Sequence, residues 1–165
     1  MEEFLQLSGI NIFAINSIEQ VAHCLPSQKK YFALLLAWDA PEIKQEELME
    51  LFRPLLDRGL AYLCAWGDRC ENVHDAVDMC VVEKDLRVGE ADYLLMTTWH
   101  AKESLDEALW FFENLAIPAE NHVFADFDRF AVAVGNHGWA QDMERHFSKR
   151  VAPKAGAIHW SPFGK

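Results

Sequence analysis

The stretch richest in side chains able to do chemistry is Leu60 to Val82, LAYLCAWGDRCENVHDAVDMCVV. Its first third reads as a buried strand and Gly67 breaks it. The rest reads as a helix whose first turns carry Asp68, Cys70, Glu71, His74, Asp75 and Asp78. A cysteine and a histidine four residues apart are neighbours on a helix surface. Such a pair can hold zinc or form a thiolate–imidazole couple. Zinc would need two more ligands, with His100, His137 and Asp39 the candidates near the expected strand ends. At about 100° per residue, however, Cys70, Val73, Val77, Cys80 and Val81 form one stripe that must face a sheet. His74 lies on the flank of that stripe, and Glu71, Asp75 and Asp78 fall on the outer side. The helix therefore does not present cysteine, histidine and acids together. Cys70 is expected to pack in the core and His74 to hydrogen-bond a buried carbonyl or carboxylate. Asp75 and Asp78 are expected to face water or a partner. No residue is assigned a catalytic or metal-binding role, and no cofactor is expected.

The elements that position these residues follow from hydrophobic patterning. Tyr31–Trp38, Leu60–Trp66, Tyr93–Trp99 and Phe130–Val134 are near-continuous apolar runs of strand length, the mark of strands covered on both faces. Residues 3–15 hold two shorter runs around Ser8-Gly9, expected as one or two edge strands. Helices are expected from Ile18 to Leu25, opened by Asn16-Ser17 with Glu19 or Gln20 completing a capping box, and from Asp39-Ala40-Pro41-Glu42 to about Arg58. Three more should run from Asp68 to about Lys84, from Ser104 to before Pro118, and from Asn136 to about Lys149. His122–Ala125 reads as a short extra strand. The tail, Val151–Lys165, reads as an irregular strap within a single domain spanning 1–165. Alternation of strand and helix with short connections predicts an α/β fold, a three-layer Rossmann-like or flavodoxin-like open sheet. That sheet should be mainly parallel, with helices on both faces.

Ligands in such sheets bind beyond the carboxyl ends of the strands. Those ends read Trp38-Asp39, Trp66-Gly67-Asp68, Thr97-Thr98-Trp99-His100 and Gly135-Asn136-His137-Gly138-Trp139. The tryptophans form an aromatic rim or simply close the core, and Asp39, Asp68, Ser104 and Asn136 all stand where helix N-caps belong. Phosphate-loop, dinucleotide, zincin and nucleophile-elbow motifs are absent. Asp126-Phe127-Asp128 precedes a strand and reads as a turn.

With 165 residues, 51% of them hydrophobic, the chain can bury roughly 70% of its unfolded surface. A net charge of -11 repels phosphates, which argues against nucleic acid and anionic membranes as partners. Cys24, Cys64, Cys70 and Cys80 show no paired spacing, and no leader-like or membrane-spanning run stands out, so the chain is expected in the cytoplasm with reduced thiols.

The stretch CAWGDRCENVHDAVD, with LLLAWDA upstream, resembles a bacterial domain family of uncharacterised function. Its members share a W-G-x-x-C-E-x-x-H-D-x-x-D pattern. The resemblance implies a bacterial origin and an α/β fold, and brings no activity with it. It would make Trp66, Gly67, Cys70, Glu71, His74, Asp75 and Asp78 shared residues. Two functional expectations follow. One is a non-enzymatic interaction or accessory module whose partner is another protein, possibly basic. The other is a small-ligand- or metal-dependent enzyme at the strand ends. The candidate site is the same for both: Trp38, Asp39, Trp66, Asp68, Cys70, Glu71, His74, Asp75, Asp78, His100 and His137.

Overall fold

A computed structural model describes residues 4–7, 9–88, 94–119 and 126–149. Among them the strands are β1 (Phe4–Leu7), β2 (Ile10–Ile15), β3 (Tyr31–Ala37), β4 (Leu60–Trp66), β5 (Met96–Trp99) and β6 (Phe127–Val134). A 3-10 turn at Ile18–Gln20 runs into α1 (Val21–Cys24). The other helices are α2 (Gln45–Asp57), α3 (Cys70–Val88), α4 (Leu105–Asn114) and α5 (His137–Ser148). The expected strap at Val151–Lys165, the expected strand at His122–Ala125 and the start of the run at Tyr93 lie outside the described residues.

The strands form one sheet in the order β1-β2-β6-β3-β4-β5. β1 pairs antiparallel with β2, and every other pairing is parallel. Strand alternation sorts the side chains into two cores. Phe32, Leu34 and Leu36 of β3 join Phe13, Phe130 and Val132 under α1, α2 and α3. Ala33, Leu35 and Ala37 join Ala131, Ala133 and Cys64 under α4 and α5. The first face is filled by aromatic rings, with Phe130 centred 6.1 Å from Phe13 and 5.8 Å from Phe32. The second is built largely of alanines, which lets Phe112, Met143 and Phe147 come down onto the sheet. The expected class, a mainly parallel open α/β sheet with helices on both faces, is what the chain adopts.

Connectivity explains the layering. From β2 to β3, β4 and β5 the chain advances in one direction, with its helices on the first face. From β5 it reverses, and α4 crosses the opposite face to reach β6. Crossovers of one hand that travel in opposite directions must lie on opposite faces. The reversal leaves β6 wedged between β2 and β3, and there the connections leaving neighbouring strands diverge.

Four expectations need correction. β2 is an inner strand, held by β6 on one side and β1 on the other, so β1 is the sheet's edge there. α2 starts at Gln45 with Lys44 as its N-cap, so Asp39 does not cap it and Pro41 lies in the preceding loop. β5 is confined to Met96–Trp99. Finally, Asp128 is inside β6, where its carboxylate accepts from the N–H groups of Gln28 and Lys29 at 2.9 and 3.1 Å and pins the loop before β3. Two caps behave as expected: Gln20 Oε1 accepts from the Asn16 and Ser17 N–H groups, and Ser104 and Glu107 form a reciprocal box.

Candidate functional site

The carboxyl ends of β3 and β4 remain joined beyond the sheet. Trp38 N–H donates to the Trp66 carbonyl at 2.9 Å, and Ala40 N–H to that of Asp68 at 3.0 Å. Asp39 Oδ1 accepts from Asp68 N–H at 2.8 Å, so this carboxylate ties two loops together. The turn into α3 is tight because Gly67 (φ 114) and Arg69 (φ 55) both take left-handed backbone. Asp68 is therefore a donor to Asp39 and not itself the cap of α3.

Beside this junction a cleft of about 490 Å³ opens where β2, β6 and β3 end. Its walls include Ser17, Glu19, Trp38, Asp39, Asn136 and Trp139. This is the place where strand connections diverge, the general location of ligand sites in open α/β sheets. Trp139 meets Trp66 edge-on with centroids 5.2 Å apart, and Trp66 Nε1 donates to the Glu103 carbonyl at 2.9 Å. Asn136 caps α5 through Gly138 N–H, and the exposed His137 lies 3.4 Å from Asn16 Oδ1 at the rim. Of the eleven candidate-site residues only Trp38 and Asp39 line this cleft, joined by Gly135, Asn136 and Trp139 from the expected end of β6. Asn16, Ser17 and Glu19 escape sequence reasoning because β2 reads as an edge strand, which leaves its carboxyl end uncounted. The only available signal is the Asn16-Ser17 helix start, which marks that end.

His74, Asp75 and Asp78 gather elsewhere, between α3 and β5. His74 packs against Trp99 with ring centroids 4.4 Å apart and the planes tilted by 57°. Its Nδ1 lies 3.0 Å from Asp75 Oδ1 and its Nε2 3.5 Å from Asp78 Oδ2. Asp78 also accepts from the Thr97 hydroxyl at 2.7 Å, which clasps α3 to β5. The histidine and these acids thus meet on one flank of α3, contrary to the helical-wheel expectation that they part. Asp78 stands four residues on from His74 and so shares its side of the helix, and Asp75 is its immediate neighbour. Their carboxylates are exposed, so His74 finds its partner at the surface and not in the core. Glu71 is exposed on the same helix.

His100 is buried under Phe111 with both ring nitrogens engaged, Nδ1 at 2.6 Å from Glu103 and Nε2 at 3.3 Å from Thr98. Cys70 is 1% exposed and packed against the sheet. Burial pushes its thiol pKa up, outweighing the N–H groups of His100, Cys70 and Glu71 that pull it down. Among the described residues no three His, Cys, Asp or Glu side chains gather as a metal site. Alkylation of the folded protein at pH 8 is accordingly expected to label the partly exposed Cys24. Cys64, Cys70 and Cys80 should react only after denaturation. Rapid native labelling of Cys70 that His74→Ala abolishes would contradict this and revive a thiolate–imidazole pair.

The profile of a domain of unknown function, DUF7684, matches residues 11–150, and the chain belongs to that family. Curated proteins return no match. Among solved structures, the UDP-N-acetylmuramoylalanyl-D-glutamyl-2,6-diaminopimelate–D-alanyl-D-alanyl ligase of Acinetobacter baumannii is similar over 89% of this chain at 15% identity and a TM-score of 0.47. The chain spans 28% of that ligase's length. Among the described residues no helix is long and apolar enough to cross a membrane.

Proposed function

Starting from a family that brings no activity with it, we propose that the chain is a non-enzymatic protein-interaction module. It docks a basic, partly apolar partner along β5 and the outer face of α3. The observation that carries this reading is an open sheet edge beside exposed apolar side chains. β5 ends the sheet, so among the described residues one side of its backbone is unpaired. Met96 and Trp99 are exposed along it, and Met79, Val82 and Leu86 follow one another at i, i+3, i+7 on α3, Leu86 at 83% exposure. An unpaired strand edge is a template for an incoming strand, and apolar pockets beside it supply specificity.

Charge selects the partner. Glu71, Asp75 and Asp78 border the strip on a chain of net charge -11. A second copy would bring the same charge to the interface and be repelled. A basic segment would be attracted. The reading suits a reducing cytoplasm, where thiols stay reduced.

A defined probe tests this: an extended peptide alternating valine with lysine, beside its valine–glutamate counterpart. The lysine peptide should associate with a rate that falls steeply with salt, because steering is screened beyond about 8 Å at physiological ionic strength. Asp75→Asn with Asp78→Asn should slow association roughly tenfold at low salt. Stability should change by only about 0.5 kcal/mol, since both residues are exposed and asparagine can still accept from Thr97. Equal binding of the two peptides, or an association rate indifferent to salt, would sink the reading. So would a dimer of the chain itself occupying the edge.

A further inference from the structure

We propose that the cleft at the ends of β2, β6 and β3 is a binding site for an organic cation, a primary ammonium or a guanidinium group, seated between Trp38 and Trp139. The site lies at the other side of the sheet from β5 and does not depend on the docking surface there.

The first observation is the make-up of the walls. Two tryptophans line a space of about 490 Å³, Asp39 and Glu19 bring two carboxylates, and among the described residues no lysine or arginine lines it. Indole is the strongest aromatic partner for a cation held over its face. The Ser17 hydroxyl beside Glu19 and the Glu19 backbone N–H hold that carboxyl below its usual range, so it is charged at neutral pH.

The second observation is independent of the acids. Trp38 is only 7% exposed, yet its indole N–H has no acceptor among the described residues. The nitrogen is not among the sealed, unpaired polar atoms of the core, so it reaches solvent, and the cleft is the space that Trp38 lines. A tryptophan buried to this degree usually finds a hydrogen-bond partner. Here the donor is offered to the cleft's occupant. The occupant should therefore carry an acceptor, a carbonyl or hydroxyl, close to its cationic group.

Opposing charges are weaker. α5 begins at the cleft, and its N-terminus is equivalent to roughly half a positive charge. Asn136 already takes up Gly138 N–H there. Arg69 donates to the Ala40 carbonyl and lies 4.0 Å from Glu42, which offsets it. His137 stands at the rim against Asn16. Against these, two carboxylates on the walls leave the cleft net negative, so an anion is disfavoured despite the helix terminus.

Tryptophan fluorescence with defined probes tests the site. n-Butylammonium and n-butylguanidinium should each produce a saturable change, while butyrate should produce none. Asp39→Asn keeps the oxygen that accepts from Asp68 and so keeps the loops joined, yet should weaken butylammonium binding at least fivefold. Glu19→Gln, at an exposed position, should act in the same direction. Trp38→Phe removes the N–H and should selectively weaken N-acetyl-lysine methylamide, whose carbonyls can accept, leaving butylammonium less affected. If the blocked lysine binds more tightly than butylammonium, the cation arrives on a peptide. If it binds equally or less tightly, the ligand is a free small amine. Butyrate binding as well as butylammonium, no saturation by any cation, or indifference to both acidic substitutions would overturn the assignment. None of these variants should alter binding of the valine–lysine peptide at β5, so the two surfaces fail separately.

Discussion

Gly67→Ala is expected to destabilise the protein by about 3 kcal/mol or more, far beyond a routine surface change. A Cβ on Gly67 would sit 2.4 Å from the Trp38 carbonyl oxygen and 2.7 Å from its carbon, both backbone atoms that cannot swing aside. It would also press on Asp39 Oδ1 at 3.1 Å. The φ of 114 is itself one that a side chain resists. Relief requires the ends of β3 and β4 to separate, which breaks the Trp38–Trp66 and Ala40–Asp68 hydrogen bonds and displaces a wall of the cleft. Gly9→Ala is the control: φ is 74 there, but nothing lies within 4 Å of the added carbon. It should cost roughly 1 to 2 kcal/mol, the left-handed penalty alone. Urea unfolding of both variants reads the difference. Equal losses would mean that the junction is looser than these distances imply.

Raising the pH from 9 to 11 is expected to remove several kcal/mol of stability through the buried thiols. Burial pushes Cys64 up to about 12 and Cys80 up to about 11, and raises Cys70 as well. Unfolded thiols ionise near 8.5. Above that pH the unfolded chain sheds protons that the folded chain keeps. The unfolded state then binds fewer protons, and unfolding becomes easier as pH rises towards the folded values. Each such thiol adds at most about 1.4 kcal/mol per pH unit to the slope. Cys64→Ala with Cys80→Ala should start less stable and decline less steeply over this window. The same slope in wild type and double variant would show that other groups control the alkaline limit.

How legible these features are in the sequence depends on what each residue answers to. Tyr31–Trp38 and Leu60–Trp66 announce themselves as strands because both their faces are buried, so the apolar run has no gaps. β2 has that same double burial, yet it is short and follows a hairpin glycine, which makes it read as an edge and hides the cleft. Asp39 is misassigned for a different reason. Its position before Pro41 obeys every local rule for an N-cap, but its oxygen bonds across to Asp68, a partner that only the pairing of β3 with β4 brings near. Cys70 is legible because the helical stripe alone puts it against the sheet. His74 is half legible: spacing places it on a flank, but Trp99 under its ring comes from β5 and carries no local signal. The family profile adds membership and no chemistry, so the functional reading rests on the open edge of β5.

Hydrogen–deuterium exchange at Met96–Trp99, with and without the valine–lysine peptide, tests that edge most directly. Strand addition pairs the outward backbone groups of β5 with the peptide, and exchange at those amides should slow markedly while amides of β3 and β6 stay unchanged. Unchanged exchange along β5 under saturating peptide, with protection appearing at Asn16–Glu19 or Gly135–Trp139 instead, would contradict docking at β5.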